Sequence, residues 1–139
     1  MNTNKINCVL LVEDDKVTNF LNERIIRGLK ITDNIKITFN GEDGLNFLRT
    51  YSEENSNHSP EIILLDLNMP GTDGFEFINT FKKMKFSNQD KIKIIVLTTS
   101  THEHDIKQII GDKSIGYINK PLAEEKLMVE LWKNYSRKS

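Results

Sequence analysis

Glu13-Asp14-Asp15 and Asp66 each close a short apolar run, Leu10-Leu11-Val12 in the first case and Ile62-Ile63-Leu64-Leu65 in the second. Two later runs end differently, Val96-Leu97-Thr98 in a hydroxyl and Tyr117-Ile118-Asn119-Lys120 in a cation. Carboxylates gathered in a small space repel one another, and their pKa values rise unless a cation joins them. An all-oxygen acidic site selects hard cations, and Mg²⁺ in particular is held by one or two carboxylates together with waters and phosphate oxygens. Asp14 and Asp66 are the best candidates for direct ligands, with the backbone carbonyl of Asn68 as a third and Glu13 binding through a water. Mn²⁺ would suit the same donors. With a metal present Asp66 stays ionised and can act as a nucleophile toward phosphorus. The Lys120 ammonium would neutralise charge on the transferring phosphoryl group, and the Thr98 hydroxyl would donate to one of its oxygens.

Each of these residues also has an ordinary reading. The acidic triplet suits a solvated helix N-terminus, where acids complement the macrodipole. Asp66 suits a turn ahead of Pro70-Gly71. Thr98, Tyr117 and Lys120 taken singly are a strand residue, a packed aromatic and a loop lysine. Their joint position at the ends of apolar runs favours chemistry.

Bringing them together requires parallel strands. Ile6–Val12 reads as a buried strand, and Val17, Leu21, Ile25 and Leu29 then recur every fourth residue as a helix face. Ile35, Ile37 and Phe39 alternate as a half-buried strand does. The turn Asn40-Gly41-Glu42-Asp43-Gly44 leads into a helix carrying Leu45 and Leu48, and Tyr51–Ser59 is polar and loop-like. A central strand follows Pro60 and stops at Asp66. Phe77, Ile78, Phe81 and Met84 mark the third helix, and Phe86–Asp90 a loop. Ile92–Leu97 is a fourth strand. A helix with a capping box at Ser100 and Glu103 carries Ile106, Ile109 and Ile110. Ile115–Ile118 is the fifth strand, Leu127, Leu131 and Tyr135 define a last helix, and Ser136–Ser139 should fray. Five βα units predict a parallel sheet with right-handed crossovers, covered on both faces. Ligands of such sheets bind beyond the carboxyl ends of the strands, where the acids, Thr98 and Lys120 would converge.

The composition sets bounds on this reading. At 139 residues with a formal net charge of -1, the chain has the size of one domain and no bulk field that would draw nucleic acid or an acidic membrane. Cys8 is the sole cysteine, so no intrachain disulfide forms. No run is apolar and long enough to span a bilayer, and a cytoplasmic location with no membrane insertion is expected. His102 and His104 fall on different helix faces and His58 in a polar loop, so zinc and triad chemistry are disfavoured. Cys8 is read as a small strand residue, and Trp132 and Tyr135 as partly packed helix residues.

The motifs Leu10–Asp15, Ile63–Gly71 with Asp73-Gly74, Val96-Leu97-Thr98 and Gly116-Tyr117-Ile118-Asn119-Lys120-Pro121 together resemble the receiver domains of bacterial response regulators, over about Ile6–Tyr135. The resemblance implies a flavodoxin-like, doubly wound (βα)5 fold with strand order 2-1-3-4-5. It implies that 1–139 is a single stand-alone receiver whose phosphoacceptor is Asp66, with Glu13 and Asp14 as the acidic pair. The implied donor is a histidine kinase or a histidine phosphotransfer protein, and the output an undefined downstream protein rather than nucleic acid. Thr98 and Tyr117 take the family's switch positions, altering a face made by the fourth helix, fifth strand and last helix. Lys120–Pro121 is a candidate cis bond. A monomer or a phosphorylation-dependent dimer is expected.

The Tyr51–Ser59 stretch is longer than usual in the family. Thr99 stands where a small residue is common, so a hydrolytic water would be restricted and the phosphoryl group long-lived. Two alternatives stay open. One is a phosphatase of the haloacid dehalogenase type, although such enzymes need a second Asp where this chain has Asn68. The other is a docking module without phosphoryl chemistry, although the quartet Asp14, Asp66, Thr98 and Lys120 is complete.

Overall fold

The computed structural model describes residues 5–51, 59–69, 72–84, 91–99 and 115–138. In chain order the elements are β1 (Val9–Val12), α1 (Lys16–Leu29), β2 (Ile35–Thr38), α2 (Gly41–Tyr51), β3 (Ile62–Asp66), β4 (Asn68–Met69), β5 (Thr72–Asp73), α3 (Gly74–Lys83), β6 (Lys93–Thr98), β7 (Ile115–Asn119) and a C-terminal helix (Glu124–Lys138). The helix expected from Ser100 lies outside the described residues, as do Pro70-Gly71, His58, His102, His104 and most of the Tyr51–Ser59 loop. The C-terminal helix continues to Lys138, past the expected fraying point at Ser136.

Five strands form one sheet in the order β2-β1-β3-β6-β7. All four pairings are parallel, which is order 2-1-3-4-5 among the main strands. The two apolar clusters show why the runs are continuous. Leu10, Val12, Ile63, Leu65, Ile94 and Val96 point to one face, where Leu48 of α2 and Phe77, Ile78 and Phe81 of α3 cover them. Val9, Leu11, Ile62, Leu64, Ile95 and Leu97 point to the other, beneath Ile26 of α1 and Leu127 and Leu131 of the C-terminal helix. Each fully buried aliphatic side chain contributes roughly 1.5–3 kcal/mol, so the central strands anchor the molecule. Among the described residues no helix is long and apolar enough to cross a membrane.

Two details depart from the sequence expectations. The inward residues of α1 are Asn19, Asn22 and Ile26. Val17 is 64% and Leu21 51% exposed, and only Ile25 and Leu29 of the expected face pack against the core. An unforeseen two-stranded antiparallel ladder pairs Asn68 with Asp73 and Met69 with Thr72. It folds the chain after β3 back on itself, and Gly74 meets Leu67 where α3 begins, its amide donating to the Leu67 carbonyl at 3.4 Å. A Cβ on Gly74 would stand 2.9 Å from the Leu67 Cα. Only glycine allows that approach.

Candidate functional site

Register brings the acidic strand ends together. Val12 pairs with Leu65, so Glu13 and Asp66 leave adjacent strands at the same level. Asp66 in turn pairs with Leu97, and Thr98 with Asn119. Backbone bonds carry the ladder beyond the strands: the Glu13 amide donates to Thr38 O at 3.2 Å, Leu67 to Leu97 O at 3.0 Å and Lys120 to Thr98 O at 2.9 Å. Side chains alternate along a strand. Glu13 and Asp66 therefore continue the face of Leu11 and Leu64, while Thr98 continues that of Ile94 and Val96, shared with Tyr117.

The result is a compact polar group. Oxygens of Glu13, Asp14 and Asp66 lie within 4.8 Å of one another. The Lys120 Nζ stands 2.8 Å from Asp66 Oδ1 and 3.6 Å from Glu13 Oε1. Glu13, Asp66 and Thr98 are buried, whereas Asp14 is exposed at the mouth. Burial, against the Asp15 amide that donates to its Oε2 at 3.1 Å, pushes Glu13 up to about 7, and the neighbouring Asp66 charge adds to the effect. For Lys120, burial works downward, but the hydrogen bond and charge of Asp66 and then the charge of Glu13 outweigh it and hold the ammonium above the ordinary lysine value.

Asp15 stands apart from this group. Its carboxylate accepts from the Thr18 amide at 2.9 Å and from the Thr18 hydroxyl at 2.5 Å, capping α1, and these bonds hold it below the usual carboxylate range. Asn19, which the periodicity of α1 did not single out, donates Nδ2 to the Glu13 carbonyl at 2.7 Å from a buried position. A polar amide inside the helix, six residues after the acid, was the available signal. Asn68 follows Asp66 by two residues at the start of β4. The Lys120–Pro121 bond is cis. The Tyr117 hydroxyl donates to Asn119 Oδ1 at 2.5 Å.

The donor set fits a hard divalent cation. Every acidic atom facing the cluster is oxygen, and Glu13 Oε1 is buried without a hydrogen-bond partner among the described residues, three carboxylates standing against one ammonium. Such a site retains excess negative charge that a divalent ion would offset.

Comparison with known proteins points the same way. Residues 9–131 match the family model described as the response regulator receiver domain. The chain is 31% identical over 135 residues to the probable methanogenesis regulatory protein FilR2 of Methanothrix harundinacea, covering 93% of this chain and 85% of that protein. It is 35% identical over 100 residues to the response regulator Rcp1 of Synechocystis, covering 70% of this chain and 65% of that one, just under two thirds of its length. A two component response regulator from Cytophaga hutchinsonii, known from its crystal structure, superposes with a TM-score of 0.80 at 32% identity, covering 93% of this chain and 96% of that one.

Proposed function

Because the chain belongs to the response regulator receiver family, we propose that it accepts a phosphoryl group on Asp66 from a histidine kinase or a histidine phosphotransfer protein, in a Mg²⁺-dependent reaction. The observation that carries this reading is the Lys120 ammonium 2.8 Å from a buried Asp66 carboxylate that also shares a cluster with Glu13 and Asp14. A lysine so placed cannot serve as a mere solvated loop residue, and it stands where negative charge on a transferred phosphoryl group would gather.

Asp14 and Asp66 would hold the metal with the Asn68 carbonyl, and Glu13 would reach it through a water. When bound, the ion would supply positive charge that offsets the phosphoryl oxygens. Asp66 then attacks phosphorus through one carboxylate oxygen. The new O–P bond replaces the P–N bond of the donor histidine, and the leaving imidazole keeps the electron pair and takes up a proton from solvent. Lys120 remains paired with the acyl phosphate. Thr98, fully buried at the end of β6, turns its hydroxyl toward it, and Tyr117 on the same sheet face follows. The altered surface is that of β7 and the C-terminal helix. A receiver of this kind, acting in the cytoplasm, passes its signal by docking on a downstream protein.

Intact-mass measurement after acetyl phosphate and Mg²⁺ tests the chemistry. The wild-type chain should gain one phosphoryl group, Asp66→Asn none, and Lys120→Ala should label about 10²-fold more slowly. Thr99 is exposed directly after β6. The phosphoryl group should persist for minutes or longer once the donor is removed, and Thr99→Ala should shorten its life. Labelling of Asp66→Asn, or turnover of small phosphate esters by the wild type, would refute the assignment.

A further inference from the structure

Asn119 occupies a junction that none of the phosphoryl chemistry requires. Its side-chain oxygen accepts from the Tyr117 hydroxyl at 2.5 Å. Its carbonyl accepts from Lys126 Nζ at 3.0 Å, and so does the Pro121 carbonyl, tying the end of β7 to the first turn of the C-terminal helix. Asn119 is also the register partner of Thr98, and the next residue is Lys120, whose amide bonds to the Thr98 carbonyl. In parallel strands, register partners point to the same face. Thr98, Tyr117 and Asn119 therefore form one surface: the tyrosine ring runs along β7 toward the site end, and its hydroxyl stops at the amide beside Thr98.

We propose that Asn119 is a positioning residue that latches Tyr117 in the unphosphorylated protein and so sets how readily the switch operates. The inference rests on the reading of Thr98 and Tyr117 as the switch pair. If Thr98 moves toward a phosphoryl group on Asp66, space opens on the face it shares with Tyr117. The ring can fill that space only by giving up its bond to Asn119. The ring body is half-buried against the cluster of Ile94 and Val96, so the two positions differ mainly in where the hydroxyl is satisfied. A net hydrogen bond shifts such an equilibrium by about two- to tenfold. Because Asn119 also carries the Lys126 contact through its backbone, substitution of the side chain removes the latch and leaves that tie in place.

The test combines Asn119→Ala, Tyr117→Phe and the double variant with ¹⁹F NMR of protein carrying 3-fluorotyrosine and with the rate of acetyl phosphate labelling. Loss of the amide should shift the Tyr117 resonance toward its position in the phosphorylated protein and raise the labelling rate by about two- to tenfold. Tyr117→Phe should raise the rate equally, and the double variant no further, since both remove one bond. Unchanged rate and resonance in Asn119→Ala, or effects of the two substitutions that simply add, would overturn the latch. Failure of the wild type to label at all would instead sink the phosphoacceptor assignment, so the two readings fail separately.

Discussion

Neighbouring acids take different roles here because of what each one faces. Glu13 is buried against Asp66 and Lys120, Asp14 opens to solvent, and Asp15 turns back to cap α1 through Thr18. Sequence already paired Glu13 with Asp14 and left Asp15 outside the pair, but did not show that Asp15 caps α1 or that Glu13 is the buried one, since three adjacent residues leaving a strand point in alternating directions and only the fold says which direction is inward. Cys8 shows the same dependence. Expected as a small strand residue, it is almost wholly buried just ahead of β1, and burial pushes its thiol from 9.0 up to about 11. The unfolded chain ionises its thiol first, so between pH 9 and 11 it binds fewer protons than the native state. Stability must then fall as pH rises through that window, with a slope approaching about 1.4 kcal/mol per pH unit. Urea midpoints should drop between those values in the wild type and drop less in Cys8→Ala. A thiol reagent at neutral pH should modify Cys8 only at the rate of unfolding.

Elements were legible wherever an apolar run was continuous, and less so where burial served a polar purpose. Spacing of four residues places Val17 and Leu29 about 120° apart around a helix of 3.6 residues per turn, so a stripe drawn through them cannot stay on one face. The inward face of α1 tilts instead through Ile26 and Asn22 to Asn19, whose amide holds the Glu13 carbonyl. Periodicity counts only apolar residues and misses such a position. The short β4–β5 ladder was illegible for a different reason: two-residue strands carry no pattern. Its role emerges from Gly74, which lets α3 begin against the backbone that follows Asp66. In Gly74→Ala the new Cβ would meet Leu67 Cδ1 at 2.7 Å and Cα at 2.9 Å, and backbone cannot yield as a flexible side chain can. Thermal or urea denaturation should show a loss of about 1–3 kcal/mol, the usual range for overpacking. Because Leu67 adjoins Asp66, the folded variant should also label more slowly with acetyl phosphate. A variant as stable and as quick to label as the wild type would show that the loop after β3 is freer than its contacts imply.

At the scale of the whole molecule, strand order joins chemistry to stability. Placing β1 beside β3 sets Glu13 against Asp66 by register, and the succession β3-β6-β7 brings Thr98 and Lys120 alongside. That convergence was predictable from alternating strands and helices, because parallel strands end on one edge. Among the described residues the fold therefore assembles three carboxylates around a single ammonium, an arrangement the unfolded chain does not have, and it carries the resulting repulsion as a cost of folding. A divalent ion that binds only the folded site must repay part of that cost by mass action, about 1.4 kcal/mol at ten times its dissociation constant. In a domain of 139 residues this corresponds to a rise in Tm on the order of 3–6 °C. Titrating Mg²⁺ at fixed ionic strength should produce that rise in the wild type, and chelation should reverse it. Asp14→Asn and Asp66→Asn should each lose most of it, whereas Asp15→Asn, which alters a helix cap outside the cluster, should keep it. If Asp15→Asn lost the response while Asp14→Asn retained it, the ion would be bound at the helix terminus, and the division of roles among the three adjacent acids would have to be redrawn.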